Sequence, residues 1–206
     1  MEGLLSLEML HRLVKFFRAL CTGIGRRWDR RAIRDADALA EFVATRAAHV
    51  GQTALYGYLK TRMGTRQVEI FQDPAFAGPL GDARDRVVRA CISDLTVFAV
   101  ALLPVPDRVG LSDQLFRDAM KQALGLPADD AFTTRLRATD WASAAEGERA
   151  FTESPATLLA AAPVSEAFRQ ADREIIDNSI RFRWADVRRQ LRQRLDPAAF
   201  GAEKTD

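Results

Sequence analysis

Hydrophobic residues recur at three- and four-residue steps over the C-terminal part of the chain, which is the spacing of one apolar stripe on a helix. The stripe comprises Phe168, Ala171, Ile175, Ile176, Ile180, Trp184, Val187, Leu191 and Leu195. Ser165 can cap the start, Pro197 and Gly201 follow the end, and no proline or glycine falls between them. The pattern predicts one long helix over about 165–195, along which the rest of the chain packs.

Charge divides this predicted helix into two halves. The first half is acidic, with Glu166, Asp172, Glu174 and Asp177. The second half is basic, with Arg181, Arg183, Arg188, Arg189, Arg192 and Arg194. This polarity matches the helix macrodipole, which favours negative charge near the N-terminus and positive charge near the C-terminus.

The same spacing predicts further helices upstream, and no segment alternates with period two. They are expected at about 4–21, 38–63, 82–103, 113–124, 129–138, 141–149 and 154–161. Asp82 and Ser112 are the predicted starts of two of them. Residues 65–81 contain Pro74, Gly78, Pro79 and Gly81 and are predicted to form a loop or short turns. We expect an all-α protein, an irregular bundle of about six to eight helices packed along the long C-terminal helix.

The N-terminal 34 residues differ from the rest in charge. They hold eight basic and three acidic residues, a net charge of +5, whereas the whole chain carries +2. We therefore divide the chain into a basic amphipathic helix and arm at 1–34, one helical domain at 35–196 and a flexible tail at 197–206. A basic amphipathic helix can lie on an anionic membrane surface or dock on a protein partner, or its apolar face can cover the core. The residues that would face a membrane or partner are Arg12, Lys15, Arg18, Arg26, Arg27, Arg30 and Arg31.

Targeting signals are not evident in the sequence. The N-terminus lacks an early cluster of positive charge and a small-x-small cleavage site. The apolar charge-free run 95–106 is shorter than the roughly 20 apolar residues that a membrane-spanning helix needs. The two cysteines, Cys21 and Cys91, are too far apart for a metal motif. The expectation is a cytoplasmic protein, with peripheral association at the inner membrane as an open alternative.

Catalytic patterns are scarce, and we predict no catalytic residue, no metal site and no cofactor. The chain has no Gly-x-Ser-x-Gly elbow, no phosphate-binding loop and no dinucleotide fingerprint. Its two histidines, His11 and His49, fall on different predicted helices, so they cannot form a His-x-x-x-His zinc pair. A hydrolase would need a serine beside a base, and the interior-looking candidates are Ser93, Ser154 and Ser179.

Polar residues within apolar stretches are the best candidates for a site. They are Tyr58, Arg62, Asp94, Asp177, Arg181 and Trp184. Buried charges must be paired, so we expect Asp94 or Asp177 to pair with Arg62 or Arg181. Two interpretations stay open: an ion-pair network that locks three helices together, or a polar pocket for an anionic ligand.

Three blocks together resemble a family of uncharacterised alphaproteobacterial all-helical proteins of about this length. The blocks are RAAHVGQTALYGYLKTRMGTR (46–66), CISDLTVFA (91–99) and NSIRFRWADVRRQLRQRLD (178–196). The resemblance spans roughly residues 38–196. Some members of that family carry an inherited esterase label, so the resemblance implies a hydrolase as one alternative, without assigning catalytic residues.

Three functional hypotheses follow. The first is a non-enzymatic helical interaction or assembly protein, acting on an unknown protein partner or on an anionic membrane surface. The second is a hydrolase of a type other than the α/β-hydrolases, and the third is a binder of a small anionic ligand. Nucleic acid is a poor candidate because the overall charge is small and no recognised binding motif occurs.

Overall fold

The computed structural model describes residues 31–128 and 130–201. Contacts divide the chain into two units, Met1–Arg31 and Ala32–Asp206, and the fold below is that of the second. The predicted helix at 4–21 and the candidate surface residues up to Arg30 lie outside the described residues. Arg31 is described and is exposed.

Nine α-helices and no strand occur in the described part of the chain, which confirms the predicted all-α class. They are α1 (Ala36–Met63), α2 (Gln67–Gln72), α3 (Pro74–Ala101), α4 (Arg108–Leu124), α5 (Ala131–Arg137), α6 (Trp141–Glu146), α7 (Glu153–Ala161), α8 (Glu166–Arg194) and α9 (Ala198–Gly201). Two 3₁₀ turns, Gly64–Arg66 and Glu148–Ala150, complete the description.

Helix α3 lies at the centre of the bundle. Every residue from Ala90 to Ala101 on it is buried, including the polar Ser93, Asp94 and Thr96. It packs against α1, α4, α6 and α7, and α8 packs against α7 and α1. Gly51 of α1 permits a close approach to α3, since a Cβ there would lie 3.2 Å from Cys91 Sγ.

Helix α8 has the bounds that the sequence predicts, but its apolar stripe is split in two. The buried row consists of Asp172, Ile176, Ile180, Trp184, Val187 and Leu191. Phe168, Ala171 and Ile175, which were expected in that row, are exposed. At about 100° per residue, Phe168 and Ile175 lie roughly a third of a turn from the centre of the buried row. Their spacing fits a helical stripe, but the stripe faces away from the core.

The prediction of a loop or short turns at 65–81 is wrong. Helix α3 begins at Pro74, eight residues before the predicted start at Asp82, and α2 lies just upstream. Asp73 caps α3 through a carboxylate oxygen that accepts from the N–H of Ala75 at 2.9 Å. Proline suits the first helical position because its missing N–H would have no partner there. Pro79 follows in the second turn without ending the helix.

Helix α4 also begins earlier than predicted, at Arg108. Its cap is Asp107, which accepts a hydrogen bond from the N–H of Gly110 at 2.8 Å. Ser112, the expected cap, lies inside the helix and is completely buried. The sequence offers two capping residues five positions apart, and the first one defines the helix start.

The two ends of the second unit are joined by backbone pairing. The N–H of Ile33 donates to the carbonyl of Arg194 at 2.8 Å, and the N–H of Asp196 donates to the carbonyl of Ile33 at 3.0 Å. Beyond this bridge, Phe200 of α9 packs against the core. Residues 198–201 of the expected flexible tail are therefore folded.

Candidate functional site

A buried carboxylate, Asp94, lies at the N-terminus of α7. Its Oδ1 accepts from the N–H of Glu153 at 3.2 Å, and its Oδ2 accepts from the N–H of Ser154 at 2.8 Å. These are first-turn N–H groups, which have no partner within the helix. Asp94 is 0% exposed and therefore caps α7 from α3, across the interior of the bundle.

Arg135 of α5 provides the opposite charge. One of its nitrogens lies 2.8 Å from Asp94 Oδ1, and another lies 3.0 Å from a carboxylate oxygen of Glu153. The guanidinium also donates to Ser93 Oγ at 2.6 Å and to the carbonyl of Ala150 at 2.7 Å. One arginine thus joins α3, α5, α7 and the turn before α7, as a planar five-donor group can.

Trp184 connects α8 to the same group of residues. Its indole N–H donates to Ser154 Oγ at 3.0 Å, and its ring lies 4.6 Å from that of Phe151. The set of Ser93, Asp94, Arg135, Glu153, Ser154 and Trp184 is called the Asp94 network below. It joins four helices through the interior.

Burial determines the titration behaviour of this region. Desolvation raises the pKa of Asp94 above its ordinary value, while Arg135 and the hydrogen bonds from Ser154 act in the opposite direction. Desolvation and the nearby Asp94 carboxylate raise the pKa of the Cys91 thiol well above its ordinary value. A thiol in this state is a small apolar side chain rather than a nucleophile.

A second group of polar side chains, the Asp172 cluster, lies at the contact of α1 with α8. Asp172 is 1% exposed and accepts hydrogen bonds from both nitrogens of the Arg62 fork. Tyr58 donates its hydroxyl to Asp172 Oδ2 at 2.9 Å. The Arg62 guanidinium covers the ring of Phe168 at 5.1 Å. Tyr58 and Arg62 are four residues apart, so they reach one carboxylate from the same side of α1.

Asp177 and Arg181 form a third, separate pair on the surface of α8. Their side chains are 2.8 Å apart and are 38% and 49% exposed. Together with Phe151, Pro155 and Leu159 they line a groove of about 660 Å³ between α7 and α8. The groove also contains Arg173 and Glu174, so its lining carries both signs of charge.

The six predicted site residues are therefore divided among three places. Asp94 and Trp184 belong to one network, Tyr58 and Arg62 to a second, and Asp177 and Arg181 to a third. Asp177 pairs with Arg181, but at the surface of a single helix and not in the interior as expected. Asp94 pairs with Arg135, and Arg62 pairs with Asp172. Sequence reasoning missed Arg135 and Asp172 as partners because a pair 41 or 110 residues apart leaves no spacing signal.

The three candidate serines occupy different environments. Ser154 is completely buried and is bonded to Asp94 and Trp184, and Ser93 accepts from Arg135. Ser179 is exposed on α8. Ser154 Oγ accepts from the indole N–H of Trp184, and Ser93 Oγ accepts from the guanidinium of Arg135. The 2.8 Å bond to Asp94 is donated by the backbone N–H of Ser154.

His49 lies on α1, near positive charge. Partial desolvation and the charges of Arg46 and Arg183 lower its pKa below the ordinary value. Among the described residues, no group of three or more histidine, cysteine or acidic side chains is arranged to hold a metal ion.

The outer face of α8 carries the most exposed apolar side chains in the described parts of the chain. Phe168 is 46% exposed, Ile175 63% and Phe182 82%. These three residues are called the outer row below. Among the side chains that the structure describes, the other exposed large hydrophobic residues are Val109 and Leu126.

Comparison of the chain with family models, with curated proteins and with solved structures found no match. A search of the described helices for a stretch long and apolar enough to cross a bilayer also found none.

Proposed function

We propose that this protein is a non-enzymatic helical protein that acts through contacts with another protein. The observation that carries the proposal is the outer row of α8, where three large apolar side chains on one helix are 46% to 82% exposed. Arg62 covers one face of the Phe168 ring, and the rest of the row is open. Exposed apolar residues scattered singly need no explanation, but an aligned row of them is typical of an interaction surface.

The polar clusters support the same proposal because their charges are already paired. Asp94 accepts two backbone N–H groups and pairs with Arg135, and Asp172 is held by Arg62 and Tyr58. A catalytic or ligand site usually presents perturbed groups to a cleft. Here the perturbed carboxylate Asp94 is 0% exposed, and in the groove Arg181 is paired with Asp177.

The test uses the full chain and measures both its enzymatic activity and its binding to other protein molecules. A serine-reactive fluorophosphonate probe should leave Ser93, Ser154 and Ser179 unlabelled, and the protein should not turn over short-chain esters. The purified Ile175→Asp variant should lose the binding to another protein molecule that the wild-type chain shows. Stoichiometric labelling of one serine together with ester turnover would instead make the protein a hydrolase.

A membrane surface is the second candidate contact, and the N-terminal sequence favours it. Residues 1–34 carry a net charge of +5 on a pattern that is apolar along one face. Such a segment binds anionic lipid by apolar burial and electrostatic attraction. Flotation with anionic vesicles at low salt should carry full-length protein upwards, and a chain with Arg26, Arg27, Arg30 and Arg31 changed to glutamine should float less. Failure of the wild type to float under these conditions rejects this candidate.

A further inference from the structure

The outer row of α8 has a seven-residue repeat. Phe168, Ile175 and Phe182 are each followed, three residues later, by Ala171, Asn178 and Ala185, and all six are exposed. Positions separated alternately by three and four residues are the a and d positions of a coiled-coil heptad. From 168 to 185 the row covers about 26 Å of helix at 1.5 Å per residue.

Side-chain size alternates along this repeat in a way that suits antiparallel pairing. In an antiparallel pair each a position lies level with a d position of the other helix. Phe168 would then lie opposite Ala185 of a second copy, and Phe182 opposite Ala171. Every phenyl ring thus faces a methyl group. A parallel pair would place phenylalanine beside phenylalanine and alanine beside alanine, which overpacks one layer and leaves the next hollow.

The charged residues beside the repeat also favour antiparallel pairing. Glu174 and Arg181 both occupy the g position, and both are exposed. In the antiparallel register Glu174 lies near Arg181 of the second copy, and symmetry repeats this contact on the other side of the axis. A parallel pair would instead bring the two arginine-rich C-terminal halves together.

We propose that a second copy of this chain docks antiparallel on the outer row of α8, with a twofold axis between Ile176 and Asp177. This inference rests on the proposed contact function and identifies its partner. Ile175 lies level with Asn178 of the second copy, next to the axis. A single polar position in such a seam fixes the register at some cost in stability.

Sedimentation equilibrium of the full chain over a wide concentration range tests the seam. We expect a monomer–dimer equilibrium in the wild type, and Ile175→Asp to raise the dissociation constant by more than about tenfold because two charges enter the seam. The matched control is Leu126→Asp, an exposed leucine outside α8, which should leave the equilibrium unchanged. A monomeric wild type, or an unaffected Ile175→Asp dimer, would overturn the proposal.

Mixing two charge-reversal variants tests the antiparallel direction. Glu174→Arg alone and Arg181→Glu alone each convert both intersubunit pairs into like-charge contacts, which should weaken each homodimer about tenfold. A mixture of the two should recover dimer to near the wild-type level, because both contacts then join opposite charges. Absence of recovery would rule out this register, since the parallel alternative places Glu174 near Ser179 instead.

A matched control separates this effect from damage to α8 itself. Arg181 also pairs with Asp177 four residues earlier, as Arg117 pairs with Asp113 on α4 at 2.6 Å. Arg117→Glu breaks an equivalent pair away from the seam and should leave self-association unchanged.

The two proposals can fail separately. If one serine is labelled stoichiometrically and the protein turns over esters, the proposed contact function is wrong, whatever the oligomeric state. If the wild type remains monomeric, a second copy is not the partner, whatever the result with the fluorophosphonate probe.

Discussion

The two faces of α8 show how similar side chains a few residues apart can have opposite roles. On the inner face Ile176, Ile180 and Trp184 are at most 2% exposed and pack into the bundle. On the outer face Ile175 and Phe182 are 63% and 82% exposed. Hydrophobicity alone therefore does not tell which residues of this helix build the fold.

The two faces differ in whether the polar groups on them are buried and hydrogen-bonded. The inner face carries Asp172 and Trp184, whose polar atoms are bonded to residues of α1 and α7. A buried polar group needs a partner in a fixed place, so these bonds determine which way the helix faces. The outer row is flanked on one side by Glu174 and Arg181, which are exposed to solvent. The following predictions, from the largest effect to the smallest, test whether the inner face stabilises the fold and the outer row does not.

Asp94→Ala should cause the largest loss, because it leaves Arg135 and two backbone N–H groups in the interior without their carboxylate. We expect a decrease of about 3–5 kcal/mol in the free energy of unfolding, measured by urea denaturation. Asp113→Ala breaks a pair at the surface, where Arg117 is 60% and Asp113 26% exposed, and should cost less than about 1 kcal/mol. Equal losses in the two variants would mean that the Asp94 network does not hold the helices together.

Trp184→Phe should cost about 1–3 kcal/mol, because Ser154 loses its indole donor and a small cavity forms beside Phe151. The measurement is again the free energy of unfolding. In Ser154→Ala background the same change should cost less, since the hydrogen bond is already absent. Additive losses would show that the bond between Trp184 and Ser154 contributes nothing.

Asp172→Asn should cost about 1–2 kcal/mol at neutral pH. The asparagine can still accept from Tyr58, but the charge that holds Arg62 is lost, and Arg62 is partly in water. Tyr58→Phe should cost about 1 kcal/mol. A stable Asp172→Asn variant would indicate that this cluster has a role other than positioning α8 on α1.

The smallest predicted effect concerns His49, which lies near Arg183 of α8. Its pKa is lowered in the folded state, so the folded protein binds fewer protons there than the unfolded chain. The resulting stability is present above the ordinary value of 6.5 and is lost as the pH falls below it. Between pH 7.5 and 5.5, His49→Gln should therefore lose less stability than the wild type. An identical pH profile for the two proteins would contradict the lowered pKa.

The spacing of hydrophobic residues predicts where helices occur, but it does not predict which side of a helix is buried. The bounds of α8 match the run without proline or glycine between Ser165 and Pro197, although the side chain of Ser165 makes no capping hydrogen bond. Pro74 and Pro79 predict a break, yet α3 contains both. Asp73 caps the start and Pro74 occupies the first helical position, where proline is tolerated. Pro79 lies inside the helix, where its missing N–H removes one backbone hydrogen bond without ending α3.

The candidate site was harder to predict for a physical reason. The sequence indicates which polar residues fall within apolar stretches, such as Asp94, but the partner Arg135 comes from another helix. Likewise, Ile175 and Ile176 have the same side chain, and only the position of the neighbouring helices decides which of the two is buried. A seven-residue spacing of Phe168, Ile175 and Phe182 was present as a signal, but it overlapped the three- and four-residue steps of the buried row.

The most direct test of the account compares Trp184→Ala with Phe182→Ala, two positions apart on α8, in thermal unfolding at protein concentrations that differ by about a hundredfold. We predict that Trp184→Ala lowers the melting temperature at both concentrations, because it removes a buried ring worth about 3–5 kcal/mol. Phe182→Ala should match the wild type at the low concentration and abolish the wild type's rise in melting temperature with concentration. A Phe182→Ala protein that is as unstable as Trp184→Ala when dilute would contradict the division of α8 into a folding face and a contact face.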